Sequence, residues 1–128
     1  MMCIRMALIV TLTALLLSGC GAVGGLFPAG PAEQKFSSGV KSYEEGDYKS
    51  SQDEIQKALE IGLSNKNDQV SAHKYLAFIH CVSAHEKQCR DEFRKALEID
   101  SNFDLRPAEA GHPIWGPVFR GVKAGFTR

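Results

Sequence analysis

Apolar residues recur at helical spacing from Phe36 onward. One stripe is made of Phe36, Val40 and Tyr43, and the next of Tyr48, Ile55, Ala58 and Leu59. Such spacing places the apolar side chains on one face of a helix. Between the stripes, Gly46 suits a left-handed helix end and Asp47 suits a helix N-cap. The pattern predicts two helices joined by a tight corner.

A second hairpin follows, with Asn67 or Asp68 expected to open it. Its apolar stripes are formed by Tyr75, Leu76 and Ile79, then by Phe93, Ala96 and Leu97. The sequence Lys57-Ala-Leu-Glu-Ile61 recurs as Lys95-Ala-Leu-Glu-Ile99, 38 positions later. With small residues at the expected helix crossings, the repeat resembles the tetratricopeptide family, whose period is about 34 residues. The extra residues are expected in 62–68, as one added helical turn. We therefore predict an all-α fold with two such hairpins over residues 36–102.

The C-terminal segment, residues 103–128, is expected to cover the open end of the two repeats. Two repeats alone seldom bury a continuous core. Pro107-Ala-Glu-Ala110 predicts one helical turn, and Pro113 is placed at the start of a further helix. Pro117 lies a turn inside that helix and predicts a slight kink. The apolar residues that this helix brings are Ile114, Trp115, Val118, Phe119 and Val122.

The N-terminus has the order of a secretory signal. One basic residue, Arg5, precedes a short apolar run and then small residues. The run is shorter than the ~20 residues of a spanning helix. Leu17-Ser-Gly-Cys20 resembles the lipobox, which implies removal of residues 1–19 and lipidation of Cys20. Gly21 in place of Asp implies sorting to the outer membrane, with the domain facing the periplasm.

Residues 20–35 are rich in Gly, Ala and Pro and are predicted to be a flexible tether between lipid and domain. Without the signal, the chain has 14 basic and 15 acidic side chains. This near-zero net charge favours binding neither to nucleic acid nor to an acidic surface. The remaining length suits one small domain. No phosphate loop, nucleophile arrangement or carboxylate pair is evident, so we expect a non-enzymatic protein without a cofactor.

Cys81 and Cys89 remain as a pair in an oxidising compartment, where a disulfide is the default. The repeat framework places them opposite each other across the second corner. His73, His80 and His85 lie nearby but lack the i, i+4 pairing of helical metal ligands, so no metal site is predicted. A redox or metal carrier stays as an alternative of another class.

The first helix of each tetratricopeptide hairpin lines a concave groove. Carried over to this chain, the resemblance implies an apolar partner-binding groove with one cation, formed by Phe36, Val40, Tyr43, Lys74, Phe78 and Val82. The alternative is that the tether or the C-terminal helix covers several of these residues. Asn residues needed for a chaperone-type carboxylate clamp are replaced by Val40 and Phe78.

The lipobox, the repeats, the cysteine pair in His80-Cys-Val-Ser-Ala-His-Glu-Lys-Gln-Cys89 and the tail from Phe103 to Arg120 together resemble the TssQ family of lipoproteins associated with type VI secretion. The resemblance implies an accessory or scaffolding role in an envelope-spanning secretion apparatus, with an envelope protein component as partner. A pilotin-like lipoprotein that escorts an envelope subunit is the alternative.

Overall fold

The computed structural model describes residues 28–127. In chain order these form α1 (Pro31–Glu44), α2 (Tyr48–Ile61), α3 (Lys66–Val82), α4 (Glu86–Ile99), α5 (Pro107–Ala110) and α6 (Trp115–Phe126). No strand is present in this part of the chain, and the predicted all-α fold is confirmed. The predicted signal peptide, the lipidation site Cys20 and the first part of the tether lie outside the described residues. No helix between residues 28 and 127 is both long and apolar enough to cross a membrane.

Helix α1 begins inside the segment that the sequence assigned to the tether. Pro31 occupies the first turn, where its missing N–H has no helical partner to lose. Ala32 is only 2% exposed. The Glu33 carboxylate accepts hydrogen bonds from the Ser64 amide at 3.2 Å and the Ser64 hydroxyl at 2.8 Å. The predicted boundary at residue 36 is therefore wrong, because these tertiary contacts hold the preceding turn in the helix.

The helix that opens the second hairpin also begins earlier than predicted. Asn65, rather than Asn67 or Asp68, is the N-cap of α3, and its side chain accepts a hydrogen bond from the Asn67 amide at 2.8 Å. Helix α3 has 17 residues, whereas α1, α2 and α4 each have 14. The longer repeat period is thus partly absorbed by additional residues at the start of α3.

The two hairpin corners have the same backbone geometry. Gly46 has φ of 80° and Ala84, at the equivalent position 38 residues later, has φ of 60°. In the first corner the Asp47 amide donates to the Ser42 carbonyl at 2.9 Å, and in the second the His85 amide donates to the His80 carbonyl at 2.8 Å. This is the six-to-one bond of a Schellman helix end. The second corner therefore forms without glycine, at the steric cost that a Cβ has in the left-handed region.

Five positions are buried in both hairpins at the same 38-residue offset. Small residues occupy three of these pairs, which are Gly39 with Ala77, Ser51 with Cys89 and Ala58 with Ala96. Ile55 and Phe93 form a bulky pair, and Ala32 is matched by the larger Val70. At Gly39 an added Cβ would lie 2.5 Å from the Ile55 side chain and 3.2 Å from the Ser51 carbonyl. The helices of each hairpin cross closely at these small residues.

Helix α6 packs against the second hairpin and continues through Pro117. It starts at Trp115, two residues after the predicted start, because Pro113 and Ile114 form a turn that precedes it. Gly116 lets α6 approach the preceding segment, since an added Cβ would lie 2.4 Å from the Ala110 carbonyl oxygen. Proline is tolerated at position 117 because the first helical N–H groups have no intrahelical acceptor.

Candidate binding surface and its C-terminal cover

The C-terminal segment covers the second-hairpin half of the predicted groove. The Trp115 ring stacks on Phe78 with the centroids 4.2 Å apart, and the Trp115 Nε1–H donates to the Glu109 carbonyl at 2.9 Å. On its other side Trp115 stacks against His112, with the centroids 3.3 Å apart. Phe78 is only 2% exposed. Phe78 is therefore part of the core that this segment completes.

Lys74 is also held by this segment. Its Nζ lies 2.7 Å from Glu109 Oε1, and both side chains are 11% exposed. Arg106 contacts the same oxygen at 2.6 Å, and the Arg106 amide donates to Glu109 Oε2 at 3.0 Å. Burial favours the neutral carboxyl, but hydrogen bonds from Arg106 and Lys74 outweigh it and lower the pKa of Glu109 to about 2. The carboxylate thus fixes α5 against α3.

The prediction of an open groove along both hairpins is therefore wrong for Lys74 and Phe78. Phe36, Val40 and Tyr43 on α1 remain half-buried, and so does Val82 at the end of α3, which packs against the second-hairpin core. The sequence pattern places residues on a helix face, but it does not show that residues more than thirty positions later fold back over that face. What remains accessible belongs mainly to the first hairpin.

An aromatic surface forms where α1, α2 and α3 meet. The Tyr43 ring lies 5.4 Å from Tyr48 and 5.0 Å from Tyr75, and Phe36 lies 6.4 Å from Tyr75, between centroids. These four residues, Phe36, Tyr43, Tyr48 and Tyr75, are here called the tyrosine surface. It contains all three tyrosines of the chain. Tyr48 is 39% exposed and the other three are half-buried.

Burial is the main cause of the pKa shifts of Tyr43 and Tyr75. It raises the pKa of Tyr43 to about 12, with smaller contributions from Tyr48, Tyr75 and Glu109, and it also raises the pKa of Tyr75. Both phenols therefore keep their O–H donors to a higher pH than an exposed tyrosine does. Tyr48 and Tyr75 were not among the predicted groove residues, because their spacing indicated helix-packing positions. The signal available in the sequence was the pair Tyr43 and Tyr48, which flank the first corner, whereas Tyr75 joins them through a tertiary contact.

The predicted pairing of Cys81 and Cys89 is confirmed. Their Cα atoms are 5.1 Å apart, and the bridge joins the end of α3 to the start of α4. Cys81 is 7% exposed and Cys89 is fully buried. The sulfurs lie in the same core cluster as Phe93, Trp115 and Phe119. The bridge closes the corner in which Ala84 has a left-handed conformation.

The three histidines of the second hairpin, His73, His80 and His85, differ in the residues that they contact. His73 Nδ1 lies 2.6 Å from Glu92 Oε2, and Lys95 donates to Glu92 Oε1 at 2.7 Å. Burial opposes ionisation of Glu92, yet hydrogen bonds from His73 and Lys95 keep its pKa below the usual value. Burial lowers the pKa of His80, whose ring lies 5.9 Å from that of His85. Within residues 28–127 no group of three His, Cys, Asp or Glu side chains is placed to hold a metal ion.

Comparisons with protein-family models, with curated proteins and with solved structures found no match to this chain.

Proposed function

We propose that the protein is a lipid-anchored periplasmic module that binds an envelope protein through the tyrosine surface, as an accessory or scaffolding component of a type VI secretion system. The gathering of all three tyrosines with Phe36 on one partly exposed surface carries this proposal. Tyrosine gives a large rigid contact area and a polar hydroxyl, and it is enriched in binding interfaces for that reason.

The two-hairpin architecture supports the binding role. A scaffold of the tetratricopeptide type presents the first helix of each hairpin to a partner, and here α1 and α3 supply Phe36, Tyr43 and Tyr75. The buried small residues at equivalent positions and the shared corner geometry agree with a repeat of this type. Since the C-terminal segment covers Phe78, the proposed partner contacts the first hairpin and its junction with α3.

The anchor and the secretion system are supported by the sequence. The lipobox ending at Cys20 supports lipidation, and Gly21 supports outer-membrane sorting. The cysteine pair and the segment from Phe103 to Arg120 support the assignment to type VI secretion through their resemblance to TssQ.

Co-purification tests the binding role. The full-length lipidated protein is isolated from detergent-solubilised envelopes of a bacterium with an active type VI system, and the recovered envelope proteins are quantified by mass spectrometry. Tyr48→Ser should reduce recovery of a type VI envelope component at least about tenfold, because interface tyrosines are frequent hot spots. Ile61→Ser is the matched control, since Ile61 is similarly exposed at 44% but lies outside the tyrosine surface. Equal recovery with both variants would contradict the proposal.

Metabolic labelling tests the anchor separately. Cells grown with radiolabelled palmitate should yield a labelled protein in the outer-membrane fraction, and Cys20→Ser should abolish the label. Cys81→Ser serves as the control because that sulfur is occupied by the disulfide. A label that persists without Cys20 would contradict lipid anchoring at this residue.

A further inference from the structure

A cleft of about 420 Å³ lies between α6 and the segment that precedes it, and its lining residues are separate from the tyrosine surface. Ala110 and Ala124 supply apolar surface, whereas Asp104, Arg120 and Lys123 bring charge to the lining. Phe119 also lines the cleft but is only 2% exposed. This volume is within the range of clefts that bind ligands in proteins, and such sites combine an apolar lining with a few polar groups that orient the ligand.

One of the two cations in the cleft is already neutralised. Lys123 Nζ lies 2.6 Å from Asp104 Oδ2 and donates to the Phe103 carbonyl at 3.0 Å. It also lies 5.7 Å from the centroid of the Phe119 ring. Lys123 therefore ties the two walls of the cleft together, and Asp104 is the acid that balances its charge.

Arg120 is an exposed residue of the cleft lining and has no acidic partner among the described residues. Its Nη1 donates to the Ala110 carbonyl at 3.3 Å, and it lies 3.4 Å from the position that a Cβ on Gly116 would occupy. None of the ion pairs among residues 28–127 includes Arg120. The guanidinium is thus positioned by a backbone carbonyl, and several of its N–H donors remain for a ligand.

The charge of the cleft lining favours an anion. The lining carries Arg120, Lys123 and Asp104, and because Asp104 pairs with Lys123, the charge of Arg120 remains uncompensated. A planar guanidinium recognises carboxylates through paired hydrogen bonds. Ala110 and Ala124 line the cleft next to that cation and offer apolar contact. The combination fits a carboxylate with an apolar group beside it, as in a peptide where a Glu or Asp neighbours a Leu.

We propose that this cleft is a second binding site, which takes an extended acidic peptide segment of a partner protein, with a carboxylate on Arg120 and an adjacent apolar side chain near Ala124. This site is independent of the tyrosine surface, and it would let one anchored domain hold two segments at once.

Calorimetric titration of the full-length lipidated protein in a nonionic detergent tests this site. The probe is the peptide acetyl-Leu-Glu-Leu-amide, and acetyl-Leu-Gln-Leu-amide controls for uptake into micelles. The Glu peptide should bind at least about tenfold more tightly than the Gln peptide, because a charge-assisted pair is stronger than a neutral hydrogen bond. Equal affinity for the two peptides, or no binding of the Glu peptide, would overturn the proposal.

Variants locate the binding in the cleft. Arg120→Gln should reduce affinity for the Glu peptide at least about tenfold, whereas Lys66→Gln, which removes one exposed charge elsewhere, should leave it unchanged. Ala124→Glu places a carboxylate four residues from Arg120 on α6 and should also abolish binding. Undiminished binding to Arg120→Gln or to Ala124→Glu would overturn the proposal, and so would competition by sodium acetate at equal concentration.

Discussion

The first hairpin (α1 and α2) and the second (α3 and α4) bury the same five positions, but they differ in what covers the outer face of their first helix. In the second hairpin Phe78 meets Trp115, Lys74 meets Glu109, and a disulfide joins the helices at the corner. In the first hairpin the positions equivalent to Cys81 and Cys89 are Tyr43 and Ser51. The same repeat therefore gives a closed core in one hairpin and a partly exposed aromatic surface in the other.

This difference shows that the repeat sequence specifies the hairpin, whereas the segments that pack against the hairpin determine which face remains exposed. The C-terminal segment supplies the neighbour of the second hairpin from within the chain. The first hairpin has Tyr48 at its corner, where 39% of the residue is exposed. The second hairpin is therefore expected to contribute most of the stability, whereas the first hairpin is the proposed site of partner binding.

The largest effect is expected from Trp115→Ala. This change removes the stack on Phe78 and the hydrogen bond to the Glu109 carbonyl, and leaves a cavity in the core. The free energy of unfolding should fall by about 4 kcal/mol, the usual scale for truncation of a buried Trp. Urea unfolding followed by circular dichroism measures it. Tyr48→Ala on the exposed surface should cost less than about 1 kcal/mol. Similar losses in the two variants would contradict the assignment of stability to the second hairpin.

Glu109→Gln should reduce stability by about 3 kcal/mol at pH 7, because it leaves Lys74 buried without its counter-charge. The pKa of Glu109 is lowered from 4.5 to about 2 in the folded protein, so its ionised form contributes stability above pH 4.5 that is lost as the pH falls toward 2. The deficit of the variant should therefore shrink over that pH range. Urea unfolding at a series of pH values measures it.

The exposed pair of Lys49 and Asp53 on α2 is the control for this charge effect. Asp53→Asn should change stability by less than about 0.5 kcal/mol, as is usual for exposed i, i+4 pairs. A deficit in Glu109→Gln that stays constant from pH 7 to pH 2 would contradict the proposed contribution of the ionised carboxylate.

Loss of the disulfide should have a smaller effect. The Cys81→Ala, Cys89→Ala double variant should lose roughly 2 to 3 kcal/mol, because the bridge no longer restricts a short loop of the unfolded chain. Hydrogen exchange should quicken at the α3–α4 corner and stay unchanged at the α1–α2 corner. The reduced wild-type protein should behave like the double variant. Equal stability of the oxidised and reduced forms would contradict this role of the bridge.

The smallest effects are expected from substitutions that compare the two corners directly. Ala84→Gly should stabilise the protein by roughly 0.5 to 1 kcal/mol, because glycine adopts the left-handed conformation without a Cβ clash. Gly46→Ala should destabilise it by about 1 kcal/mol, since it introduces that clash in the first corner. Thermal unfolding measures both variants. A shift of the same sign in both would show that the corners are not equivalent.

Local features of the fold were predictable from the sequence, since helical spacing, the Gly46-Asp47 corner and the internal repeat depend on residues close in the chain. The disulfide also followed from the repeat, because the pair spans one corner. The start of α1 was not predictable in this way. Pro31 lies in a Gly- and Pro-rich run typical of a tether, and the bonds that hold the first turn come from Ser64, 31 residues after Glu33.

The candidate site was less predictable than the fold. The positions of Phe36 and Tyr43 on one helix face follow from their spacing, but the burial of Phe78 depends on Trp115, which folds back from the C-terminal segment. Tyr75 belongs to an apolar stripe on α3 that packs against other helices. It becomes part of the tyrosine surface only because Tyr43, on α1 of the first hairpin, contacts it. Such contacts depend on tertiary structure and leave little trace in local periodicity.

Photo-cross-linking in living cells tests whether the partner binds at the first hairpin. A benzophenone amino acid replaces either Tyr48 or Glu86, which begin α2 and α4 at equivalent positions and are both exposed. After irradiation of cells with an active type VI system, we expect a cross-link from position 48 to a type VI envelope protein and none from position 86. Cross-links of equal yield from both positions, or a cross-link from position 86 alone, would contradict it.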